Sequence, residues 1–184
     1  LPPSTTNPKA MFEHVGQFWT STEPVLVDGK IYAYGYADFN NTGTEMVVTD
    51  PSLPGSVSNP SVIELVPGVE SSGPYAFAQV GDRIAMGINA TDLGYELALY
   101  DASAPVSTSN PEIIDLVPGA MDSSPDYLVG DGTDLYFTVE PESGGSFLGH
   151  LDATQPILVG TNPRNLGQAV DYAYYLVMGT YLTE

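Results

Sequence analysis

Tyr75-Ala76-Phe77-Ala78-Gln79-Val80, then Gly81-Asp82, then Ile84-Ala85-Met86-Gly87-Ile88, is the stretch that decides the fold. Apolar residues recur with a period of two, not 3.6, and the Gly-Asp pair between the runs is a two-residue hairpin signal. Outward from there, a loop from Asn89 to Gly94 leads to a third run, Tyr95-Glu96-Leu97-Ala98-Leu99-Tyr100. A Ser- and Pro-rich loop covers Asp101 to Pro111, and Ile113-Ile114-Asp115-Leu116-Val117 reads as a fourth strand ended by Pro118-Gly119. The same grammar appears in Val25-Leu26-Val27, Asp28-Gly29 and Ile31 to Tyr36, and in Tyr127-Leu128-Val129, Asp131-Gly132 and Leu135 to Val139. No window shows a sustained helical stripe, because Pro and Gly interrupt every one long enough to hold a helix.

These segments repeat at a spacing of 51 residues. Pro67-Gly68 recurs as Pro118-Gly119; Asn59-Pro60 recurs as Asn110-Pro111; Asp50, Asp101 and Asp152 form a series, as do Gly43, Gly94 and Gly145. Asn7-Pro8 to Val15-Gly16 is a partial copy one period earlier, with a step of 52, and Pro156 to Gly160 reads as a shortened fourth-strand element. The chain therefore divides into units of about 17–68, 69–119 and 120–160, and a partial unit 161–184 completed by residues 6–16.

Four antiparallel strands in each unit of this length is the arithmetic of a β-propeller blade. A lone four-stranded sheet cannot bury both faces, whereas blades stacked about an axis can. The expected fold is all-β, a four-bladed propeller with an irregular last blade in which Met11 to Val15 joins the strands of Ala169 to Leu182. Tandem β-sandwiches, with about seven strands per 100 residues, are the alternative; solenoid repeats are shorter.

The units resemble extracellular repeats named for a Glu-Leu-Trp-x-x-Asp-Gly-Thr signature. Glu45-Met46-Val47-Val48-Thr49-Asp50 and Glu96-Leu97-Ala98-Leu99-Tyr100-Asp101 stand at the signature. Pro118-Gly119, Ser123-Ser124-Pro125 and Asp131-Gly132-Thr133-Asp134-Leu135-Tyr136-Phe137 follow in the family's order. The signature Trp is absent, and Asp-Gly-Thr is replaced by Asp50-Pro51-Ser52, Asp101-Ala102-Ser103 and Asp152-Ala153-Thr154. The resemblance covers most of residues 6 to 180. It implies a propeller and an extracellular setting, and it implies no catalytic residues.

Composition narrows the function classes. With 23 acidic side chains against 4 basic ones, nucleic acid and anionic lipid are not expected partners, since both need cations to neutralise phosphates. No cysteine is present, which excludes disulfides, thiolate metal sites and thiol catalysis. No apolar run approaches the length of a membrane-spanning helix. The chain opens Leu1-Pro2-Pro3 without Met, as a mature exported product or a fragment would.

No nucleophile-base pair, zinc-protease helix or phosphate loop is legible. His14 and His150 lie far apart in sequence and read as unrelated strand residues. Glu45 and Glu96 occupy equivalent places in two units and read as framework. Asp50, Asp101 and Asp152 are expected to accept backbone N–H groups in the turns that follow them. On a propeller the loops between the fourth and next first strands share a face with those between the second and third. That face would present 17–21, 69–72, 120–124 and 162–168, so Trp19, Glu70, Asp122 and Asp126 are the candidate ligand-binding residues, an aromatic plate beside acids that suits a sugar or a cation. Asp131 and Asp134 make an oxygen-rich turn that is the one candidate calcium site; no other cofactor is implied. Asn40 and Asn89 head glycosylation sequons expected in loops, relevant in a secreting eukaryote.

The function that fits is a non-enzymatic extracellular or cell-surface module for binding, adhesion or assembly, with a protein or carbohydrate partner. The alternatives are a filament or coat subunit that self-assembles by terminal strand exchange, and a carbohydrate-active enzyme using paired carboxylates.

Overall fold

The computed structural model describes residues 24–37, 43–54, 59–66, 71–119, 121–142, 144–158 and 160–168. They form twelve strands and, among the described residues, no helix. Strands β1 (Val25–Val27), β2 (Lys30–Ala37), β3 (Gly43–Thr49) and β4 (Ser61–Ile63) make the first sheet. Strands β5 (Tyr75–Val80), β6 (Arg83–Ala90), β7 (Gly94–Asp101) and β8 (Glu112–Ile114) make the second. Strands β9 (Pro125–Asp131), β10 (Asp134–Val139), β11 (Phe147–Asp152) and β12 (Arg164–Gln168) make the third. Each sheet is an antiparallel meander in chain order. The hairpin turns after β1, β5 and β9 hold Gly29, Gly81 and Gly132 at φ of 75°, 59° and 63°, the left-handed conformation that glycine adopts without strain.

The second sheet is covered on both faces. Ile84, Met86, Ile88, Ala98 and Tyr100 share one apolar layer with Val27, Tyr32 and Met46 of the first sheet. Ala85, Leu97 and Leu99 face the other way and share a second layer with Leu135, Phe137, Val139 and Leu151 of the third. The period of two thus distributes one strand's side chains between two layers. Each fully buried leucine or isoleucine contributes about 1.5–3 kcal/mol through the apolar area it removes from water. Tyr34 also packs against the first layer, so Tyr32 and Tyr34 sit between sheets.

The first strands lie next to one another, β1 against β5 and β5 against β9. The Gly81 N–H donates to the Gly132 carbonyl at 2.6 Å. A Cβ on Gly130 would come within 1.7 Å of the Gln79 carbonyl oxygen, so this approach of β9 to β5 requires glycine.

Two sequence expectations are corrected. The fourth strand ends at Ile63 and Ile114, short of the run to Val117, because the next amides leave the ladder: Leu65 N–H and Leu116 N–H donate to the Glu45 and Glu96 carboxylates. In the third sheet Phe147 replaces that glutamate, and the ladder runs on until Phe147 pairs with Gln168. The third unit therefore extends to Gln168 rather than ending at 160. Its fourth strand is Arg164–Gln168, not 156–160, and residues 162–168 form a loop anchor and a strand rather than a face loop. Met11 to Val15 and the segment 169–184 lie outside the described residues.

One device closes the loop before every fourth strand. Asn59, Asn110 and Asn162 each accept the N–H of the strand-ending aspartate: Asp50 at 2.9 Å, Asp101 at 2.8 Å and Asp152 at 2.8 Å. Each Nδ2 donates back to that aspartate's carbonyl and to two further loop carbonyls, such as Ala104 and Pro105 for Asn110. All three asparagines are buried, so each exchanges water for a full set of protein partners. The aspartate side chains act as expected: Asp50, Asp101 and Asp152 accept the N–H and hydroxyl of Ser52, Ser103 and Thr154. Those side-chain and backbone hydrogen bonds hold all three carboxyls below the ordinary aspartate range.

Candidate functional site

The segments after β4 and β8 meet the next sheet at a glutamate. Glu45 is fully buried; its Oε2 accepts Leu65 N–H at 3.2 Å and the Ser72 hydroxyl at 2.5 Å, and its Oε1 accepts Ser72 N–H at 3.0 Å. Ser72 leads into β5, so a side chain of the first sheet holds the start of the second. Glu96 repeats this between the second and third sheets: its Oε2 accepts Leu116 N–H at 2.9 Å and lies in hydrogen-bond contact with Ser123 Oγ at 2.6 Å. The ends of the second strands join in, with Asn89 N–H donating to the Ser72 carbonyl and Glu140 N–H to the Ser123 carbonyl. Burial raises the Glu45 carboxyl and pushes Glu96 up to about 7, against the lowering effect of their hydrogen bonds. Both glutamates are framework, as their equivalent positions implied.

Around the second junction the surface carries aromatic and acidic groups. Tyr95, Met121 and Tyr127 are exposed. The Tyr75 ring meets Tyr95 edge-on, with centroids 5.9 Å apart. Tyr75 lies over Gly87, where any Cβ would fall 2.3 Å from the ring. Both first strands are irregular here: Ala76 and Tyr127 have φ of 52° and 49°, beside breaks in register with β6 and β10. Such bulges re-aim neighbouring side chains. Burial, then the charges of Asp126, Tyr95, Asp122 and Glu96, raise the Tyr75 hydroxyl strongly.

Two of the four candidate ligand-binding residues are thereby brought to one place. Asp122 Oδ1 accepts Tyr95 N–H at 2.9 Å, and Asp126 Oδ1 accepts Tyr127 N–H at 2.8 Å. Trp19 and Glu70 lie outside the described residues. The sequence reading missed Tyr75, Tyr95 and Tyr127; the signal available was the bulge-prone first strand, which a strict period of two does not reveal.

The two aspartates of the candidate calcium turn have different surroundings. Asp131 is exposed at the end of β9, while Asp134 Oδ1 lies 2.6 Å from His150 Nε2. Arg164 Nε–H donates to His150 Nδ1 at 3.2 Å, so Nε2 is the protonated nitrogen and it donates to Asp134. Among the described residues no group of three or more His, Asp or Glu side chains is placed to hold a metal ion. His14 and Asn40 lie outside the described residues. Asn89 is corrected: it stands within β6, paired with Tyr95, because the strand continues to the buried Ala90 before the turn at 91–93. Family models, curated proteins and solved structures give no match to this chain.

Proposed function

We propose that the chain is a non-enzymatic extracellular binding or structural module built of β-propeller blades. The observation that carries this reading is the pair of glutamate junctions. Carboxylates that a glycosidase would expose in a cleft are here buried and bonded to the next sheet. The neighbouring first strands and the two shared apolar layers support a stacked-blade arrangement. In this reading a fourth blade is completed by strands from 6–16 and 169–184. The likeness to the Glu-Leu-Trp repeats supports the extracellular setting.

The binding surface in this reading is Tyr95, Met121 and Tyr127 with Asp122 and Asp126. Exposed phenol rings beside carboxylates suit a sugar ring or the cationic side chains of a protein. The test is a glycan array and a set of Lys- and Arg-rich peptides, followed by calorimetry with Tyr95→Ala and Tyr127→Ala. Binding lost in folded variants supports the surface; a ligand that binds them unchanged removes it. Deleting residues 1–16 tests closure. The shortened chain is expected to aggregate through an unpaired edge and to be rescued by the 1–16 peptide. A soluble truncated monomer of unchanged Tm would refute closure within the chain and strand exchange alike.

A further inference from the structure

The two glutamate junctions follow one plan, and one of the differences between them, Ser71 against Asp122, removes a hydroxyl proton. In the first, two hydroxyls serve two acceptors: Ser71 Oγ donates to the Thr44 carbonyl at 3.0 Å, and Ser72 Oγ donates to Glu45 Oε2. In the second, Asp122 stands where the first has Ser71. Asp122 accepts Tyr95 N–H just as Ser71 Oγ accepts Thr44 N–H, but a carboxylate has no proton to give to the Tyr95 carbonyl. Ser123 Oγ consequently lies within hydrogen-bond distance of two acceptors, the Tyr95 carbonyl at 2.9 Å and Glu96 Oε2 at 2.6 Å. The Tyr95 carbonyl also accepts the Ser123 and Ser124 N–H groups at 3.0 and 3.1 Å, and a hydroxyl carries one proton, so Ser123 Oγ has a proton in both of its contacts only if Glu96 brings the second.

Glu96 is also served by fewer donors than Glu45. Ser72 N–H donates to Glu45 Oε1, whereas Ser123 N–H goes to the Tyr95 carbonyl. Glu96 Oε1 is left buried without a hydrogen-bond partner. An unpartnered oxygen costs less on a neutral carboxyl than on a carboxylate. Among the described residues the titratable groups around it are Asp115 on the segment after β8, Asp122 before β9, Tyr95 on β7 and Tyr75 on β5. None of these is a cation.

We infer that Glu96 is the proton donor of the second junction. Its Oε2–H donates to Ser123 Oγ while the Ser123 hydroxyl donates to the Tyr95 carbonyl, so the second and third sheets are joined most tightly when Glu96 is protonated. Burial, with the Asp115 charge adding to it, raises Glu96 from an ordinary 4.5 to about 7. A raised carboxyl means that the folded chain keeps a proton which the unfolded chain releases across that window. Stability from this group therefore falls as pH rises through the window and levels off above it.

The experiment is thermal unfolding of the full chain from about pH 5 to about pH 8, for the wild type, Glu96→Gln and Asp122→Ser. The difference from Glu96→Gln isolates this group, since other ionisable groups contribute to the wild-type slope. Glu96→Gln, which does not titrate and whose amide oxygen can keep the Leu116 N–H, is expected to lose part of the fall in Tm. Asp122→Ser restores the second hydroxyl and is expected to move the fall to lower pH. Infrared spectroscopy supplies a readout that does not depend on unfolding. A protonated-carboxyl band is expected in the wild type at about pH 6 and in Asp122→Ser only at lower pH, which keeps the test open if Glu96→Gln does not fold. Identical pH slopes in the wild type and Glu96→Gln, or no protonated-carboxyl band in the wild type, would overturn the inference.

Discussion

The second and third sheets follow one plan and differ in what their alternate strand positions carry. In the second, consecutive residues of β6 and β7 are apolar, because Leu97 and Leu99 serve one layer while Ala98 and Tyr100 serve the other. In the third, Leu135, Phe137, Val139 and Leu151 fill the shared layer, but Tyr136, Thr138 and His150 occupy the alternate positions. One repeat after Leu99, the chain has His150, bonded to Asp134 and Arg164. A repeat spacing thus preserves backbone plan more faithfully than it preserves the chemistry of each face.

The largest expected effect is at the first term of that comparison. Leu99→Ala opens a cavity between the second and third sheets and should cost about 2–5 kcal/mol in chemical denaturation. His150→Ala, at the equivalent place, removes two polar contacts and should cost about 1 kcal/mol. Equal costs would break the contrast between the two faces. Next is Gly130→Ala, which sets a methyl against the Gln79 backbone and should cost about 1–3 kcal/mol. Gln79→Ala, the equivalent position in the second sheet, should stay within about 0.5 kcal/mol because its side chain is exposed.

Where the plan is conserved, the effects should match. Asn110→Ala and Asn162→Ala each strip the same set of loop hydrogen bonds and should each cost about 1–3 kcal/mol. A small loss in one sheet only would mean that its loop is held by other contacts. The smallest effect is electrostatic. Net charge of -19 is self-repulsive, and of the four basic residues Arg83 is paired with Glu112 and Arg164 with the His150 ring. Raising monovalent salt to about 0.5 M shortens the reach of that repulsion and should raise Tm modestly in every variant above. A flat response would show that the acids are too dispersed to matter. Micromolar calcium acting alone would indicate specific sites, with Asp131→Asn and Asp134→Asn the variants to measure first.

The hairpins and the repeat were legible because both are local: alternation of period two, and a Gly-containing turn at a fixed offset. What was not legible depends on bonds between distant residues. The early end of β8 needs Glu96 to capture Leu116 N–H from twenty residues away, and no pattern near Leu116 signals it. The third Asn-Pro pair was overlooked because Asn162 follows Asn110 by 52 residues instead of 51, one residue out of step with the aspartate series. Asp122 and Asp126 were legible as acids near the loops before and within β9, but the tyrosines beside them were not. Tyr75 and Tyr95 read as ordinary strand residues until β5 departs from regular register beside them.

The buried asparagines also bear on the order in which the chain folds. Asn110 reaches back nine residues to Asp101, while Ser123 must cross 27 to reach Glu96. Closing the longer loop costs only about 1 kcal/mol more in entropy, so the gap in stability is small. The gap in time is larger, because short-range contacts form ahead of distant ones. Each four-stranded unit can thus tie its own outer loop before its neighbour docks, and the glutamate contacts then join units that are already closed. A chain organised in this way lengthens by whole units, since each one brings its own fastening.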